Sequence, residues 1–389
     1  MRIALTTIGC KLNQSEITNL KQNLLKAGYI IVPKNQKHDL HIVNACSITH
    51  GAEQITRQKI REAKRKAPQS QTFVMGCLNK TIPEINHAFK NSTEILKYVK
   101  KNYAKAQYPV PNTQCPKTRA LIKIQSGCDF GCTYCIIYKF RGKSKSVTLK
   151  KIITQIKNLE KQSYKEIVLV GQNILQYKYQ NYNFTQLVKA ILQQTNILRI
   201  RFSSLDPRLI DGDFLALLKN PHICPHLHLS LQSGSNKILK SMNRNYTTKQ
   251  YLNIVKQAQK INSLTSITTD IIVGFPGETD KDFQNTLNFV KKIEFLKIHI
   301  FPYSERQGTK AANFKNQLFP QIKKERFNQL NALAKKQKAE FCKKIKGETL
   351  PVLFEQKRNG YWRGLTSNYM QVKKKSSKNL KNQIVNLKI

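Results

Sequence analysis

The chain has 389 residues, and the 40% that are hydrophobic suffice for the cores of two or three domains, which excludes a wholly disordered protein. Lysine and arginine number 67 against 22 acidic residues, giving a formal net charge of +45. That charge favours a polyanionic partner such as RNA, although an AT-rich genome would also enrich lysine. No apolar run approaches the roughly 18 residues that cross a bilayer. We therefore expect a cytoplasmic protein with no membrane partner.

The first predicted elements are three strands that each end close to a cysteine. The strands lie at residues 3–8, 40–44 and 72–75, and the cysteines are Cys10, Cys46 and Cys77. Helical patterns at residues 14–27 and 52–66 separate them. Alternating strands and helices predict a parallel sheet, in which the loops after the strands share one edge. We therefore expect the three cysteines to converge. Cysteines buried by chance are the alternative, but three in succession favour a metal site, most simply a [4Fe–4S] cluster.

A segment with three prolines, residues 103–118, predicts a linker between this domain and the next. Shortly after it come Cys128, Cys132 and Cys135, in the spacing C-x3-C-x2-C. Three thiolates leave one iron of a [4Fe–4S] cluster without a protein ligand. The amino and carboxylate groups of S-adenosylmethionine can chelate that iron, and an electron from the cluster can then break the sulfonium C–S bond. A zinc knuckle is the alternative, but zinc usually takes four ligands and no fourth Cys or His lies nearby.

From residue 119 to about 305, strand-like runs alternate with amphipathic helices. Six strands are predicted, at residues 121–125, 166–170, 199–203, 226–231, 267–273 and 297–301. Six β/α units predict an open parallel barrel with its chemistry at the carboxyl ends of the strands. The segments that follow the strands are small, polar or glycine-rich, which suits close approach of a ligand. His226 and His228 alternate with leucines, so we expect them to face one side of a strand rather than to bind metal.

The last part of the chain begins with a predicted lysine-rich helix at residues 321–345. Three predicted strands follow, at residues 349–355, 360–365 and 370–374. Aromatic and basic residues are interleaved in this tail, a combination that suits base stacking and phosphate contacts to RNA. A solvated basic tail with core aromatics is the alternative. The candidate RNA-binding residues are Trp362, Arg363, Lys373 and Lys374.

Taken together, these segments resemble the methylthiotransferases of the radical S-adenosylmethionine superfamily over nearly the whole chain. Residues 9–14, 43–49 and 75–77 resemble the family's auxiliary-cluster segments, and residues 126–142 resemble its radical-cluster loop. Further similar segments are residues 231–235, 242–244, 270–278 and 301–309. Tyr138 departs from the family pattern, which usually has proline there. The tail is also shorter than the family's C-terminal barrel, and its last strand is not evident.

The resemblance implies an α/β fold with a parallel α/β sheet domain (residues 1–102), an open (β/α)6 radical barrel with a bridging helix (119–345) and a small RNA-binding β-barrel of the TRAM type (346–389). It implies two [4Fe–4S] clusters, one held by Cys10, Cys46 and Cys77 and the other by Cys128, Cys132 and Cys135. Candidate contacts to S-adenosylmethionine are Tyr134, Ser203, Gln232, Arg244, Gly274 and Gly277. No further side chain is expected to be catalytic, because the cofactors carry the reaction.

The implied reaction adds a methylthio group to C2 of an adenosine in transfer RNA. One S-adenosylmethionine methylates a sulfur on the auxiliary cluster, and a second yields the radical that activates the inert C2 position. Thr49 and residues 299–309 resemble the branch that modifies N6-threonylcarbamoyladenosine beside the anticodon, whereas residues 169–173 resemble the other branches.

The alternatives are N6-isopentenyladenosine as substrate, an aspartate of a ribosomal protein, or a non-catalytic iron–sulfur RNA-binding protein. The expected partners are the anticodon stem-loop of transfer RNA, a reductant protein and a sulfur source. We expect the enzyme to be a monomer.

Overall fold

The computed structural model describes residues 1–78, 82–104 and 118–389. The chain forms two compact units: Met1–Cys115 with Cys135–Gly142, and Pro116–Tyr134 with Lys143–Ile389. Apart from its ends, the linker predicted at residues 103–118 lies outside the described residues. Cys135–Gly142 packs with the first unit although it lies within the stretch 119–345.

In the described part of the first unit, parallel strands form one sheet in the order β2-β1-β3-β4-β5. The strands are β1 (Arg2–Thr7), β2 (Ile30–Val32), β3 (Leu40–Cys46), β4 (Gln71–Cys77) and β5 (His87–Ala88). The helices are α1 (Lys11–Lys26), α2 (His50–Lys66), α3 (Ser92–Asn102) and α4 (Ile137–Arg141).

The central strands of this sheet are largely apolar and are buried on both faces, as is usual for parallel strands covered by helices. All seven residues of β3 are buried. Ile42 of β3 and Phe73 of β4 pack with Leu20 and Leu24 of α1 and with Ile95 of α3. The predicted strands at residues 3–8, 40–44 and 72–75 are confirmed as β1, β3 and β4, and both predicted helices are confirmed as α1 and α2.

The second unit contains a longer series of strands and helices. Its first strands are β6 (Arg119–Lys123), β7 (Gln125–Ser126), β8 (Lys145–Ser146), β9 (Glu166–Val170), β10 (Lys178–Tyr179), β11 (Tyr182–Asn183), β12 (Arg199–Phe202), β13 (Ser204–Leu205), β14 (His226–Leu229), β15 (Ser266–Val273) and β16 (Phe295–Pro302). Its helices are α5 (Leu149–Lys161), α6 (Phe184–Gln194), α7 (Gly212–Ala216), α8 (Asn236–Ser241), α9 (Thr248–Ile261), α10 (Asp280–Val290) and α11 (Pro320–Lys344).

Parallel pairing joins β6, β9 and β12 in one sheet and β13, β14, β15 and β16 in another. Ser203 alone separates β12 from β13, so six parallel strands follow one another in chain order. No pairing within residues 118–389 joins β16 back to β6, so the array is open. All six strands predicted between residues 121 and 301 are found. No helix of the described ranges is long and apolar enough to cross a membrane.

The C-terminal strands form an antiparallel sheet in the order β19-β18-β17-β20. They are β17 (Thr349–Arg358), β18 (Tyr361–Thr366), β19 (Gln371–Lys375) and β20 (Ile384–Lys388). The sequence predicted the first three and missed β20, which pairs with β17 and completes the sheet. The tail therefore has a last strand that the sequence did not make evident.

The turn after β18 lies against the interior of the six-stranded array. Arg199 donates to the carbonyl of Thr366 at 2.9 Å, and Arg201 donates to that of Ser367 at 3.0 Å. Both guanidinium groups also pair with the fully buried carboxylate of Glu166, at 2.8 and 2.9 Å. The tail is thus joined to the strands of the second unit by buried, charge-assisted hydrogen bonds.

Candidate functional site: two groups of cysteines

Cys10, Cys46 and Cys77 lie together at the carboxyl edge of the first unit's sheet, which we call the cysteine edge. Cys46 and Cys77 are the last residues of β3 and β4 and lie directly opposite each other. Cys10 is the residue that precedes helix α1. None of the three forms a disulfide. The convergence expected from the strand–helix pattern is therefore confirmed.

Two glycines allow this close approach. Gly9 has φ +104°, and a Cβ there would lie 2.8 Å from Cβ of Cys46 and 3.0 Å from its Sγ. Gly76 has φ +100°, and a Cβ there would lie 2.4 Å from Oδ1 of Asn44. A side chain at either position would be strained and would collide with its neighbours. The close approach of the cysteines therefore depends on the glycines that precede Cys10 and Cys77.

A buried polar network surrounds the cysteine edge. The amide of Asn13 donates to the carbonyls of Ile8 and Ala45, at 2.8 and 3.0 Å, and so ties β1 to β3. Arg141 donates to Oδ1 of Asn13 at 3.1 Å, to both carboxylate oxygens of Glu16 at 2.6 and 3.0 Å, and to Sγ of Cys77 at 3.4 Å. The segment Cys135–Gly142 therefore contributes a cation to the edge where the thiols converge.

The electrostatics of Cys77 reflect two opposing effects. Burial raises the pKa of its thiol, while the neighbouring guanidinium of Arg141 acts in the opposite direction. A cation and an N–H donor beside a sulfur also stabilise a thiolate ligand.

The donor set fits an iron–sulfur cluster on three counts. The sulfurs come from three separate segments, namely the ends of β3 and β4 and the residue before α1. They form no disulfide, and a charged donor already faces one of them. The three residues all offer thiolate sulfur, a soft donor that suits an iron–sulfur cluster.

The loop that carries Cys128 and Cys132 lies in the second unit and is held by hydrogen bonds on both sides. Before the cysteines, the backbone N–H of Gly127 donates to the side chain of Gln172 at 3.0 Å. After them, the N–H of Thr133 donates to the carbonyl of Met242 at 3.1 Å. Cys135 follows on the segment that packs with the first unit. Burial raises the pKa of the Cys128 thiol.

Two arginines lie beside Cys132. Arg244 and Arg208 reach its Sγ at 3.7 and 3.8 Å, and both pair with Asp206, at 2.8 and 2.7 Å. Burial by itself would raise the pKa of Asp206, but the two guanidinium groups outweigh it and the pKa is lowered. Asp206 therefore stays ionised and fixes both arginines next to the sulfur. Of this group the sequence singled out only Arg244.

The other candidate contacts to S-adenosylmethionine lie at the carboxyl ends of strands or in the cysteine loop. Tyr134 packs against a small apolar cluster that includes Phe275 and Tyr303. Ser203 is buried between β12 and β13, and its hydroxyl has no hydrogen-bond partner among the described residues. Gln232, Gly274 and Gly277 all have positive φ, as sharp turns after strands require.

The RNA-binding candidates of the tail do not share one face. Trp362 is only 7% exposed and packs with Val352, Phe354 and Leu380 in the core of the small sheet. The prediction that its ring is free to stack on a base is therefore wrong for this structure, because alternation along β18 turns it inward. Its neighbour Tyr361 is 45% exposed instead.

An exposed face of the same sheet combines this tyrosine with cations. Lys375 lies opposite Tyr361, and Lys373 lies opposite Arg363. Arg358 lies opposite Tyr361 on the other side. We call these five residues the basic face. Lys374, the remaining candidate, lies opposite Trp362 instead.

Sequence reasoning missed the side chains that support the cysteines. Asn13 and Glu16 fall three and six residues after Cys10 on the helix it begins, and that spacing was the available signal. Asp206 follows the strand pair β12–β13 directly, which was a second signal. Of the cysteines outside the two groups, Cys224 is buried beside Glu166 and Cys342 contacts Met370, while Cys115 lies outside the described residues.

Family models match both units of the chain. The model described as the Radical SAM superfamily matches residues 122–290, and the one described as Uncharacterized protein family UPF0004 matches residues 2–96. The threonylcarbamoyladenosine tRNA methylthiotransferase MtaB of Aquifex aeolicus is 35% identical, over 97% of this chain and 98% of that protein. MtaB of Bacillus subtilis is 32% identical, over 100% and 93%. The tRNA-2-methylthio-N(6)-dimethylallyladenosine synthase of Aliarcobacter butzleri is 34% identical, over 100% and 96%.

Solved structures show the same fold at low sequence identity. The radical S-adenosylmethionine methyltransferase TsrM of Kitasatospora setae has a TM-score of 0.58 at 12% identity and covers 80% of this chain and 77% of its own. The cobalamin-dependent S-adenosylmethionine radical enzyme OxsB has a TM-score of 0.53 at 11% identity and covers 86% and 56%. With relatives above 30% identity along nearly its whole length, this chain belongs to the radical S-adenosylmethionine methylthiotransferase family.

Proposed function

We propose that this enzyme adds a methylthio group to C2 of N6-threonylcarbamoyladenosine in transfer RNA. The observation that carries the proposal is the convergence of Cys10, Cys46 and Cys77 at one sheet edge, in a chain that also has a three-cysteine radical loop. A single [4Fe–4S] cluster that binds S-adenosylmethionine is compatible with many radical reactions. A second site formed by three cysteines suits a reaction that must also deliver sulfur. A non-catalytic RNA-binding protein would need neither an open iron nor two such sites.

The choice of substrate rests on the relatives. Four proteins named threonylcarbamoyladenosine tRNA methylthiotransferase are 32–36% identical to this chain over at least 90% of its length. Dimethylallyladenosine synthases follow at 32–34%. Modification of N6-isopentenyladenosine is therefore the second candidate, and the margin in identity is small enough that the nucleoside itself must be measured.

The family's chemistry requires S-adenosylmethionine and a [4Fe–4S] cluster, and we assign that cluster to Cys128, Cys132 and Cys135. When bound, it supplies the electron that cleaves the sulfonium. The chain's own contribution is to hold the loop and its surroundings. Asp206 fixes Arg208 and Arg244 beside Cys132, where their positive charge offsets the negative charge of a thiolate-ligated cluster. Tyr134, Ser203, Gln232, Gly274 and Gly277 remain our candidates for cofactor contacts.

We assign a second [4Fe–4S] cluster to the cysteine edge, where it supplies the sulfur-bearing site of the reaction. Asn13 joins the backbone that precedes Cys10 to the end of β3 that precedes Cys46, and Arg141 places a guanidinium against Cys77. These side chains hold the thiols in place. A reductant protein and a sulfur source complete the system we propose.

We assign RNA binding to the tail, residues 346–389, as a TRAM-like domain that follows a radical domain at residues 119–345 and a methylthiotransferase domain at residues 1–102. The basic face supports this assignment, because an exposed tyrosine flanked by four cations offers one stacking surface and several phosphate contacts. The anticodon stem-loop is the proposed ligand. Arg363, Lys373 and Lys374 stay on our list of contacts, and Tyr361 takes the stacking role.

Mass spectrometry of transfer RNA nucleosides tests the proposal. Transfer RNA that carries N6-threonylcarbamoyladenosine is incubated anaerobically with the reconstituted enzyme, S-adenosylmethionine, dithionite and sulfide. We expect the 2-methylthio derivative of that nucleoside, and none from transfer RNA that carries only N6-isopentenyladenosine. The reverse pattern would establish the second candidate. Release of 5′-deoxyadenosine without a methylthio product from either RNA would contradict both.

A further inference from the structure

Three polar side chains from neighbouring strands meet on the inner side of the six-stranded array. His228 of β14, Asp270 of β15 and His299 of β16 form what we call the histidine–aspartate cluster. Asp270 and His299 lie directly opposite each other, and His228 lies opposite Thr268, two residues before Asp270. Side chains two apart on a strand share a face, so the register brings all three together.

The distances within the cluster are those of a ligand set. Nε2 of His228 lies 3.1 Å from one carboxylate oxygen of Asp270, and Nδ1 of His299 lies 3.1 Å from the other. One donor atom from each residue lies within 4.8 Å of the other two. Ligands bound at about 2.1 Å to one divalent ion would lie about 3–3.5 Å from each other. The cluster would therefore need only a small adjustment to surround an ion.

The hydrogen bonds behind the cluster also suit metal binding. Nδ1 of His228 lies 2.8 Å from the hydroxyl of Thr268, which in turn lies 2.9 Å from Nε2 of His226. If His228 donates to Thr268 and Thr268 donates to His226, then Nε2 of His228 carries a lone pair towards Asp270. A histidine ligand whose other nitrogen donates a hydrogen bond is the usual arrangement around bound metals.

The charge of the histidine–aspartate cluster and its exposure to solvent also favour metal binding. The cluster has one carboxylate and two imidazoles, so with neutral imidazoles its net charge is −1, which favours a cation. Two imidazoles and one carboxylate are the donor set of first-row divalent ions and leave coordination positions open for water or an oxygen ligand. The side chain of His299 is 39% exposed and that of Asp270 is 24% exposed, so an ion can enter.

We propose that His228, Asp270 and His299 form a mononuclear site for a first-row divalent metal ion, separate from the iron–sulfur clusters. The site does not depend on which adenosine the enzyme modifies. The proposal also reverses our expectation that His228 does not bind metal. The sequence showed the strand that carries His228, but only the strand register shows that Asp270 and His299 lie beside it.

Manganese(II) is the probe, because it prefers nitrogen and oxygen ligands to thiolates and gives an EPR signal when free. It is titrated into the full chain with reconstituted clusters, without RNA, and free ion is measured from the signal amplitude. We expect about one bound ion per chain, displaced by zinc(II). His299→Ala and Asp270→Asn should each weaken binding at least tenfold, and Thr268→Val should weaken it by roughly 10–100-fold because it removes the hydroxyl behind His228.

The matched control is His222→Ala, which removes a partly buried histidine that contacts the carbonyl of Leu198, outside the cluster. It should bind manganese like the wild type. His299 is half-exposed, so its alanine variant is expected to fold, and circular dichroism checks each variant. Wild-type protein that binds neither manganese nor zinc outside its cysteines would overturn the proposal. So would binding that His299→Ala and Asp270→Asn leave unchanged.

Discussion

Arg141 and Glu16 form a two-pronged ion pair, at 2.6 and 3.0 Å, between residues 125 positions apart in the chain. Both side chains are more than 90% buried. The pair fixes the segment after Cys135 to helix α1, which Cys10 directly precedes. Breaking a buried pair by removing one partner leaves an uncompensated charge, which makes this contact a sensitive point of the first unit.

Glu16→Ala should therefore destabilise the first unit by roughly 3–5 kcal/mol. Hydrogen–deuterium exchange of peptides from α1 and from residues 135–142 measures the effect locally. The control is Glu84→Ala, which removes the partner of Arg61 in a pair whose arginine is 62% exposed. That change should cost less than about 1 kcal/mol. Equal rates of hydrogen–deuterium exchange in both variants would contradict the stabilising role assigned to the pair of Arg141 and Glu16.

Gly76→Ala should distort the cysteine edge. Its positive φ and the 2.4 Å distance from a Cβ to Asn44 Oδ1 leave no room for a methyl group. After anaerobic reconstitution we expect iron to fall from about eight to about four per chain. Gly51→Ala is the control, since a Cβ there meets nothing within 4 Å and α2 gains about 0.5–1 kcal/mol. Full iron in Gly76→Ala would count against the assignment.

Replacement of Cys128, Cys132 and Cys135 by alanine should also remove about half of about eight irons, but from the other site. Cleavage of S-adenosylmethionine should then be abolished. Cys46→Ala should instead keep the cleavage and lose the methylthio product. Iron analysis together with chromatography of 5′-deoxyadenosine separates the two cases, and loss of both activities in folded Cys46→Ala would refute the proposed division of roles.

The buried pair of Glu166 with Arg199 and Arg201 should give an acid-sensitive contribution to stability. Burial by itself would raise the pKa of Glu166, but the two arginines outweigh it and lower the pKa to about 2. The carboxyl group of an exposed glutamate has a pKa of about 4.3. The stabilisation is therefore complete above about pH 4.3 and is lost as the pH falls towards 2.

Melting temperatures measured between pH 7 and pH 3 check this dependence. Glu166→Gln should lower the melting temperature at pH 7, and the difference from the wild type should shrink as the pH falls. A difference that stays constant down to pH 3 would show that the carboxylate is not the titrating partner.

Tyr361 and Trp362 should behave in opposite ways although they are adjacent. Tyr361→Ala combined with Lys373→Ala and Lys375→Ala should weaken binding of transfer RNA and lower the salt slope by about 0.7–0.9 for each lost phosphate contact. Its melting temperature should change little, because these side chains are exposed. Trp362→Ala should instead cost roughly 3–5 kcal/mol of stability. Filter-binding titrations at several salt concentrations make the comparison, and unchanged affinity in the triple variant would place the RNA elsewhere.

The sequence predicted the parts of the fold that depend on local pattern. Strand–helix alternation was sufficient to bring Cys10, Cys46 and Cys77 to one edge, because parallel sheets leave no other arrangement for such loops. Arg141 and Glu16 could not be paired this way, since their contact depends on where Cys135–Gly142 packs.

The pairing register of the strands was the second feature that the sequence could not predict. His228 was assigned to its strand correctly, but only the pairing of β14, β15 and β16 shows that Asp270 and His299 lie beside it. In the tail, basic composition suggested RNA contact for Trp362, whereas alternation along β18 decides which ring is outside. Strand β20 escaped notice because Ile384–Lys388 is short and mixes apolar with polar residues.

The turn after β18 has a consequence for the order in which the protein folds during synthesis. Arg199 and Arg201 donate to the carbonyls of Leu365, Thr366 and Ser367, more than 160 residues further along the chain. Until those residues have left the ribosome, the guanidinium groups of Arg199 and Arg201 lack these carbonyl acceptors, and water must take their place. The interior of the second unit is thus completed only after residues 365–367 have left the ribosome, and a nascent chain that stops before Thr349 would keep a hydrated, incompletely closed core.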